Sequence, residues 1–329
     1  MKRFRYVWPV IPVAMTLALT VPAAVNAQAP KYPVKPIRII ISLPPAGTTD
    51  IVARIVAQKF TEALGQTVIV DNRPGGGTTI GNALAARAAP DGYTLLYSGS
   101  SLATTVPLYR NLPYDPVRDF APIGPVGQSF FVLAVHPSMP VRSVRELINV
   151  AKAKPKQVSY ASAGAGTITH LTVELFLANA KIDMLHVPYK GGAPAILALV
   201  SGQVEAIFNP IAEILPHVRA GGRVRVLAVT SPKRAPDLPD VPTLAESGLP
   251  GCTVATWSGL YAPAGTPAPI IERLNAELNR MVQSPDVQER FQAGGLVPVG
   301  GTPAALGDYL KSEIVRWTKV VKDAGIKIE

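Results

Sequence analysis

Short hydrophobic runs alternate with amphipathic stretches along most of this chain of 329 residues. Residues 36–42 form a hydrophobic run typical of a buried strand, and the stretch from Asp50 to Leu64 repeats its apolar positions at the period of a helix. Gly65 stands where this helix is expected to end. A strand at 67–70, a helix at 80–88 and a strand at 93–97 follow. This β-α-β-α-β order predicts a mostly parallel sheet flanked by helices.

The same alternation recurs further along the chain. The pattern predicts strands at 131–135, 158–161, 184–187, 206–208 and 224–229, and helices at 143–153, 171–178, 193–200, 269–281, 287–293 and 303–324. Because both ends of the chain carry α/β material and no long linker separates them, we expect an α/β protein of two lobes between which the chain crosses twice. Lobe 1 then comprises residues 28–135 plus 231–329, and lobe 2 comprises residues 136–230. A tandem pair of domains is the alternative.

The N-terminus has the organisation of an export signal. Lys2, Arg3 and Arg5 precede an apolar stretch, and small residues around Ala27 suit a cleavage site. Prolines interrupt the apolar stretch, which argues against the alternative of a membrane anchor, because a spanning helix needs about 20 uninterrupted apolar residues. We therefore predict that residues 1–27 are a cleaved signal peptide and that the mature protein is periplasmic.

Composition narrows the classes of function. Hydrophobic residues make up 48% of the chain, which excludes global disorder. The single cysteine, Cys252, excludes an internal disulfide framework and a multi-cysteine metal cluster. The formal net charge is +10, but the basic residues are dispersed and aromatic residues make up only 6%. This distribution argues against a nucleic-acid partner, which favours clustered basic residues interleaved with aromatics.

Two loops of small and hydroxyl-bearing residues each link a predicted strand to a predicted helix. The start of a helix presents unpaired N–H groups and a partial positive charge, so such a loop favours an anion. Loops that follow parallel strands lie at their carboxyl ends, where α/β proteins bind ligands. The sequence therefore predicts one small anion held between both loops. The candidate residues are Ala46, Gly47, Thr48, Thr49 and Asp50 in the first loop, and Ser162, Gly164, Gly166, Thr167 and Thr169 in the second.

Some of these positions have a structural alternative. Asp50 suits a helix cap at least as well as a functional acid. The turn at residues 73–77 is either structural or a wall of the site, and Lys190 is either a solvated charge or an anion contact. His170, at a helix start, suits packing or capping better than metal ligation.

Motifs of catalysis and cofactor binding do not occur in the sequence. It contains no phosphate-binding P-loop, no complete dinucleotide fingerprint, no G-x-S-x-G nucleophile elbow and no H-E-x-x-H zinc spacing. We therefore expect a binding protein with no cofactor, no metal and no catalytic residues.

Several segments resemble one family closely. Residues 32–40, 44–54 and 71–75 are similar to the Bug family, the extracytoplasmic solute receptors (TctC) of tripartite tricarboxylate transporters. The resemblance continues, in order, at residues 90–96, 187–192, 227–230, 238–243 and 262–267. It covers essentially the whole chain after the predicted signal peptide.

The resemblance implies a type II-like, two-lobed Venus-flytrap fold and a receptor that delivers a small organic acid or related metabolite to membrane transporter subunits. Because nothing in the sequence suggests obligate assembly and no catalytic motif occurs, we expect a monomer that is not an enzyme. A periplasmic sensor module or an enzyme on the same scaffold is the alternative. The resemblance also adds Gly75, Ser98, Lys190 and Asn209 to the ligand-binding candidates. Three positions depart from the family pattern: Leu43 replaces an aromatic residue, Ala46 replaces a glycine, and Asn209 replaces an acid common in the family. A neutral amide at position 209 is expected to repel a second carboxylate less, or to bind an amide or hydroxyl.

Overall fold

The structure is a computed structural model that describes residues 1–2, 32–45 and 47–326. Apart from its first two residues, the predicted signal peptide lies outside the described residues, as does the candidate site residue Ala46. Among the described helices, none combines the length and the hydrophobicity that crossing a membrane requires.

Ten strands and ten α-helices follow one another along the described residues. The first part contains β1 (Ile37–Ile41), α1 (Thr48–Leu64), β2 (Val68–Asn72), α2 (Thr79–Ala86), β3 (Thr94–Gly99), α3 (Ser100–Leu108) and the long strand β4 (Phe120–Val135). The middle part contains α4 (Val144–Ala153), β5 (Ser159–Ser162), α5 (Ile168–Ala180), β6 (Leu185–Pro188), α6 (Gly192–Val200), β7 (Ala206–Pro210), α7 (Ile211–Arg219) and β8 (Arg225–Val229). The last part contains β9 (Ala255–Pro263), α8 (Ala268–Gln283), α9 (Pro285–Ala293), β10 (Val297–Pro298) and α10 (Pro303–Asp323).

The sheet has two parallel groups of strands joined by antiparallel ones. Strand β1 pairs in parallel with β2 and β3, and β5 pairs in parallel with β6 and β7. Strand β9 lies between β3 and β4 and is antiparallel to both. Strand β4 pairs with β9 through Phe120–Phe130 and with β7 and β8 through Phe131–Val135. The predicted α/β class is confirmed. The sheet is mixed because β4 and β9, which return the chain between the two groups, run against their neighbours.

Burial explains why the strands form where the sequence predicts them. All of β1 except Arg38 is fully buried isoleucine, so residues on both faces of this strand are covered. A strand buried on both faces is typical of a sheet layered between helices. Helix α1 buries Ile55, Val56 and Phe60 on one side and ends at Gly65, which has the left-handed backbone typical of a helix C-terminus.

Some elements carry no clear signal in the sequence. The first part of β4 contains two prolines and two glycines, and its pairing with β9 shifts register at Pro122/Gly124 and again at Pro125/Gly127. Such irregularities interrupt the alternation by which a strand is recognised. Helix α3 contains Pro107 and mostly small or hydroxyl-bearing residues, so its helical period is weak. Helix α7 and strand β9 were also missing from the predicted elements.

Hydrogen bonds tie three chain passes together where the two halves of the sheet meet. The Phe131 N–H donates to Thr230 Oγ1 at 2.9 Å, and this hydroxyl donates to the Val254 carbonyl at 2.6 Å. The Val254 N–H in turn donates to the Thr230 carbonyl at 3.1 Å. The exact boundaries of the two lobes remain a prediction, but this junction is where the chain passes from one group of strands to the other.

Candidate functional site

A cavity of about 380 Å³ lies at the junction of the two halves, where three helices begin. The starts of α1, α3 and α5 each contribute residues to its wall. Strand β9 and the turn before α2 complete the lining. Small, hydroxyl-bearing and aromatic residues dominate this wall: Thr49, Gly77, Thr78, Tyr97, Ser98, Ser100, Ser101, Thr104, Thr105, Gly166, Thr167, Thr256, Trp257 and Ser258.

The start of α1 has no side-chain cap. Gly47 is the N-cap residue and has no side chain with which to bond the first N–H groups of the helix. The helix starts at Thr48, two residues earlier than the sequence predicted, so that Thr49 reaches the cavity wall. A helix start with no side-chain cap and a partial positive charge favours a bound anion.

Asp50 stabilises the first loop from the side that faces away from the cavity. It lies in the first turn of α1, is only 3% exposed and is not among the residues that line the cavity. Its carboxylate accepts hydrogen bonds from Arg54 Nε at 2.9 Å and from Asn72 Nδ2 at 3.0 Å. Asn72 Nδ2 also donates to the Leu43 carbonyl at 3.1 Å, which joins the loop to the end of β2. The N-cap position belongs to Gly47 rather than to Asp50.

The start of α3 was not recognised in the sequence. Its N-cap is Gly99, and a Cβ atom there would lie 1.8 Å from the carbonyl oxygen of Trp257, so only glycine permits this approach of β3 to β9. Ser100 Oγ accepts a hydrogen bond from the Trp257 N–H at 3.0 Å, and Ser98 Oγ lies 3.4 Å from Ser101 Oγ. The run Ser98-Gly99-Ser100-Ser101 after a predicted strand was the available signal, since it repeats the composition of the two recognised loops.

The loop before α5 brings two of its predicted residues to the cavity. Gly166 and Thr167 line the wall, and Gly166 has a φ of 74°, a conformation that favours glycine. Thr167 caps α5 by accepting from the His170 N–H, and its hydroxyl donates to the Gly164 carbonyl at 2.7 Å. Thr169 Oγ1 accepts from the Ala163 N–H at 3.0 Å. The loop is therefore held by its own hydroxyls.

Ser162, Gly164 and Thr169 shape this loop without lining the cavity. Ser162 Oγ lies 2.7 Å from His186 Nε2 and accepts from the Gly164 N–H at 3.2 Å. The sequence predicted a loop from Ser162 to Thr169, but in the structure Ser162 is the last residue of β5 and Thr169 lies in the first turn of α5. The sequence also did not distinguish the residues that face the cavity from those that support them.

Gly75, Lys190 and Asn209 also lie away from the lining, whereas Ser98 is part of it. Lys190 is exposed. Asn209 is 1% exposed and donates through Nδ2 to Glu213 Oε2 at 2.6 Å, while its buried Oδ1 has no hydrogen-bond partner among the described residues. Glu213 therefore places a carboxylate beside the neutral amide.

Glu213 lines a second cavity of about 200 Å³ that adjoins the first. The two cavities share Thr49 and Tyr97 as well as Thr256, Trp257 and Ser258 of β9. A ligand held at the helix starts is thus able to extend toward Glu213.

The first cavity is lined by hydroxyl-bearing and apolar residues and carries no side-chain charge among its described residues. None of the described residues that line it is a lysine, arginine, histidine, aspartate or glutamate. No cluster of three potential metal-binding side chains occurs in the described part of the chain. An anion in this cavity would thus be balanced by N–H groups, hydroxyls and helix dipoles. Many of the lining residues were missed by sequence reasoning, among them Tyr97, Ser100, Ser101, Thr104, Thr105, Tyr109, Thr256, Trp257 and Ser258.

Two α/β halves around an uncharged cavity at the starts of three helices define a two-lobed solute-binding protein, and the predicted fold class is confirmed by comparison with known proteins. Residues 52–326 match the family model described as "Tripartite tricarboxylate transporter family receptor" (TctC), and the chain belongs to this family. The family and its solved neighbours are periplasmic binding proteins.

Individual relatives support the same assignment. Protein BugT of Bordetella pertussis is 39% identical over 93% of this chain and 94% of its own length. The structure of R. palustris Rpa4515 with adipate matches with a TM-score of 0.79 and 34% identity, over 90% of this chain and 100% of the other. MatC from Rhodopseudomonas palustris with bound malate matches with a TM-score of 0.75 and 33% identity, over 88% of this chain and 100% of the other.

Proposed function

We propose that this protein is a periplasmic receptor that binds a small organic carboxylate between its two lobes and delivers it to the membrane subunits of a tripartite tricarboxylate-type transporter. The observation that carries the proposal is the meeting of three helix starts at one uncharged, hydroxyl-lined cavity. Two similar solved structures, Rpa4515 with adipate and MatC with bound malate, contain ligands of this chemical class.

The physical basis is attraction of one carboxylate by groups that bear no net charge. A hydrogen bond to a charged group contributes about 1.5–3 kcal/mol. Each helix dipole adds roughly 0.3–2 kcal/mol at its N-terminal end. None of the described lining residues carries a charge. A ligand carboxylate therefore does not have to break an ion pair between side chains in order to bind there.

Binding is coupled to closure of the lobes in this proposal. Thr49 and Thr167 come from opposite halves of the fold and line the same cavity. A ligand that contacts both halves binds the closed arrangement better and shifts the equilibrium toward it. The lobes are residues 28–135 plus 231–329 and residues 136–230, and the mature monomer begins after a signal peptide of residues 1–27.

The cavity supports binding better than catalysis. General acid–base chemistry needs titratable groups within reach of the substrate, and the described lining of the first cavity contains no carboxylate, imidazole or amine. We therefore propose a receptor rather than an enzyme. A sensor role would use the same binding event and differ only in the membrane partner.

The test is calorimetry on mature protein that has been unfolded, dialysed and refolded to remove any co-purified ligand. The panel contains adipate, malate, a monocarboxylate and the amide of that monocarboxylate. We expect saturable binding of at least one carboxylate and none of the amide. Failure of every carboxylate to bind, or turnover of a bound compound by the purified protein, would contradict the proposal.

A further inference from the structure

Three aromatic rings stack directly behind the loop that precedes α5. The Tyr160 ring lies 4.9 Å from the His186 ring, and the His186 ring lies 3.9 Å from the His170 ring, with an angle of 8° between the two imidazoles. The three rings come from β5, β6 and α5. His170 is only 6% exposed, so this stack belongs to the interior of the second half of the fold.

Both imidazoles bond the loop itself. The Gly166 N–H donates to His170 Nδ1 at 3.0 Å, which requires that this nitrogen carry a lone pair and no proton. His186 Nε2 lies 2.7 Å from Ser162 Oγ, and the same hydroxyl accepts from the Gly164 N–H. Because Gly166 lines the cavity, the bond to His170 connects the stack directly to the proposed anion site.

The charges around the stack come from several elements. Glu174, one turn after His170 on α5, places Oε1 3.5 Å from His170 Nε2 and accepts a hydrogen bond from Tyr160. Asp183 interacts electrostatically with Tyr160. Lys319 and Asp323 of α10 line the groove that also contains Glu174 and Asp183. Glu174 is thus the nearest charged partner for a protonated His170.

Protonation of His170 would conflict with the observed geometry. A proton on Nδ1 would face the Gly166 N–H, so two donors would oppose each other and the loop would have to move. The charge gained would be balanced by Glu174 rather than added to the cavity. Two charged imidazoles stacked at this distance would also repel each other strongly. Burial lowers the pKa of His186 to about 4, so this member of the stack resists charge.

We propose that His170 is a positioning residue for ligand binding: its neutral imidazole, stacked on His186, holds the Gly166 N–H in the conformation that lines the cavity, and its protonation weakens binding. The effect on ligand affinity rests on the proposed receptor function. The effect on the loop does not, because the hydrogen bond exists within the protein alone.

The structural arm of the test uses ligand-free, ¹⁵N-labelled mature protein. The exchange rate and chemical shift of the Gly166 amide are followed from pH 8 to pH 5 in the wild type, His170→Asn and His170→Leu. Asn Oδ1 occupies nearly the same place as His Nδ1 and accepts a hydrogen bond without titrating in this range, whereas Leu has no acceptor. We expect a protected Gly166 amide that becomes exposed as pH falls in the wild type, protection at every pH in His170→Asn, and exposure at every pH in His170→Leu.

The binding arm measures the affinity for adipate and for malate by calorimetry at pH 7.5 and pH 5.5. Because each variant meets the same ligand, protonation of the ligand itself cancels between variants. We expect the wild type to lose about tenfold more affinity than His170→Asn over this range, the effect of about one hydrogen bond. An equal loss in both proteins, or a Gly166 amide that behaves alike in the wild type and His170→Leu, would overturn the proposal. If neither ligand binds at pH 7.5, the receptor function loses support while the amide measurement still decides the role of His170.

Discussion

At the scale of single residues, the cavity depends on side chains that hold backbone groups in place. Thr167 caps α5 and lines the cavity, so this one residue stabilises both the helix start and the cavity wall. Glu213 acts differently, because it contributes a charge to the adjoining cavity. These two roles lead to separate predictions.

Replacement of Thr167 by alanine tests the cap and the site together. We expect Thr167→Ala to lower carboxylate affinity about tenfold, because the hydrogen bond from its hydroxyl to the Gly164 carbonyl holds the loop that lines the cavity. Loss of the cap lowers the free energy of unfolding by about 1 kcal/mol. Thr302→Ala is the matched control, since Thr302 caps α10 through the same type of bond and is not among the residues that line the cavity. Calorimetry and urea unfolding should show a similar stability loss in both variants and a binding loss in Thr167→Ala alone.

Glu213 should disfavour a second carboxylate on the ligand. In Glu213→Gln we expect the affinity for dicarboxylates to rise about two- to fivefold relative to that for a monocarboxylate, because a partly screened repulsion is removed. Glu272→Gln, an exposed position on α8, provides the control for a change in net charge alone. A titration series of chain-matched mono- and dicarboxylates measures the ratio, and an unchanged ratio would mean that ligands do not extend toward Glu213.

His186 should make the stability of the protein depend on pH. Its pKa is lowered to about 4 in the folded protein, mainly by burial, against about 6.5 in an unfolded chain. The unfolded state therefore binds more protons between these values, and stability falls as pH drops from about 6.5 toward about 4. Urea unfolding at pH 7.5, 5.5 and 4.5 should show this decline, and His186→Gln should flatten it. An identical decline in the variant would assign the effect to other groups.

At the scale of elements, the cavity wall has two parts. The two loops recognised in the sequence form one part, and strand β9 with the start of α3 forms the other. Gly99 lets these elements meet, because its position lacks room for even one carbon atom beyond the backbone. The N–H of Trp257 is then able to reach Ser100 Oγ. The cavity wall on this side thus depends on a close backbone approach between residues far apart in the chain.

Gly99→Ala should destabilise the fold by about 1–3 kcal/mol, the range typical of overpacking in a rigid region. Gly47→Ala is the comparison for stability, since a Cβ atom there would contact nothing within 4 Å and the φ of −83° suits any residue. Urea unfolding of both variants provides the measurement. A Gly99→Ala protein as stable as Gly47→Ala would show that β3 and β9 separate easily.

At the scale of the whole molecule, the cavity lies between the two halves of the fold. A single tryptophan in its wall should therefore report ligand binding through its fluorescence. Trp257 lines the cavity and its buried indole N–H has no partner among the described residues. Trp317, by contrast, is fully buried and donates to Glu313 Oε2 at 2.9 Å. The two tryptophans therefore differ in their exposure to a binding event.

We expect a carboxylate ligand to change the fluorescence of the mature protein through Trp257 and to raise its melting temperature. At a ligand concentration of 100 times Kd, the stabilisation amounts to about 2.7 kcal/mol. Trp257→Phe should remove the fluorescence change, and Trp317→Phe should retain it. A signal that persists in Trp257→Phe would place the ligand or the coupled motion elsewhere.

The sequence by itself determined the order of most strands and helices, the family and the two loops before α1 and α5. These features are local, since hydrophobic period and a run of glycine, serine and threonine are properties of a few neighbouring residues. The tertiary structure alone decided that α3 and β9 complete the cavity wall. It also decided that Asp50 supports its loop without lining the cavity, and that Glu213 supplies the charge beside Asn209. Each of these depends on which strand ends meet across the sheet, and such contacts between distant residues leave no period or motif in the chain.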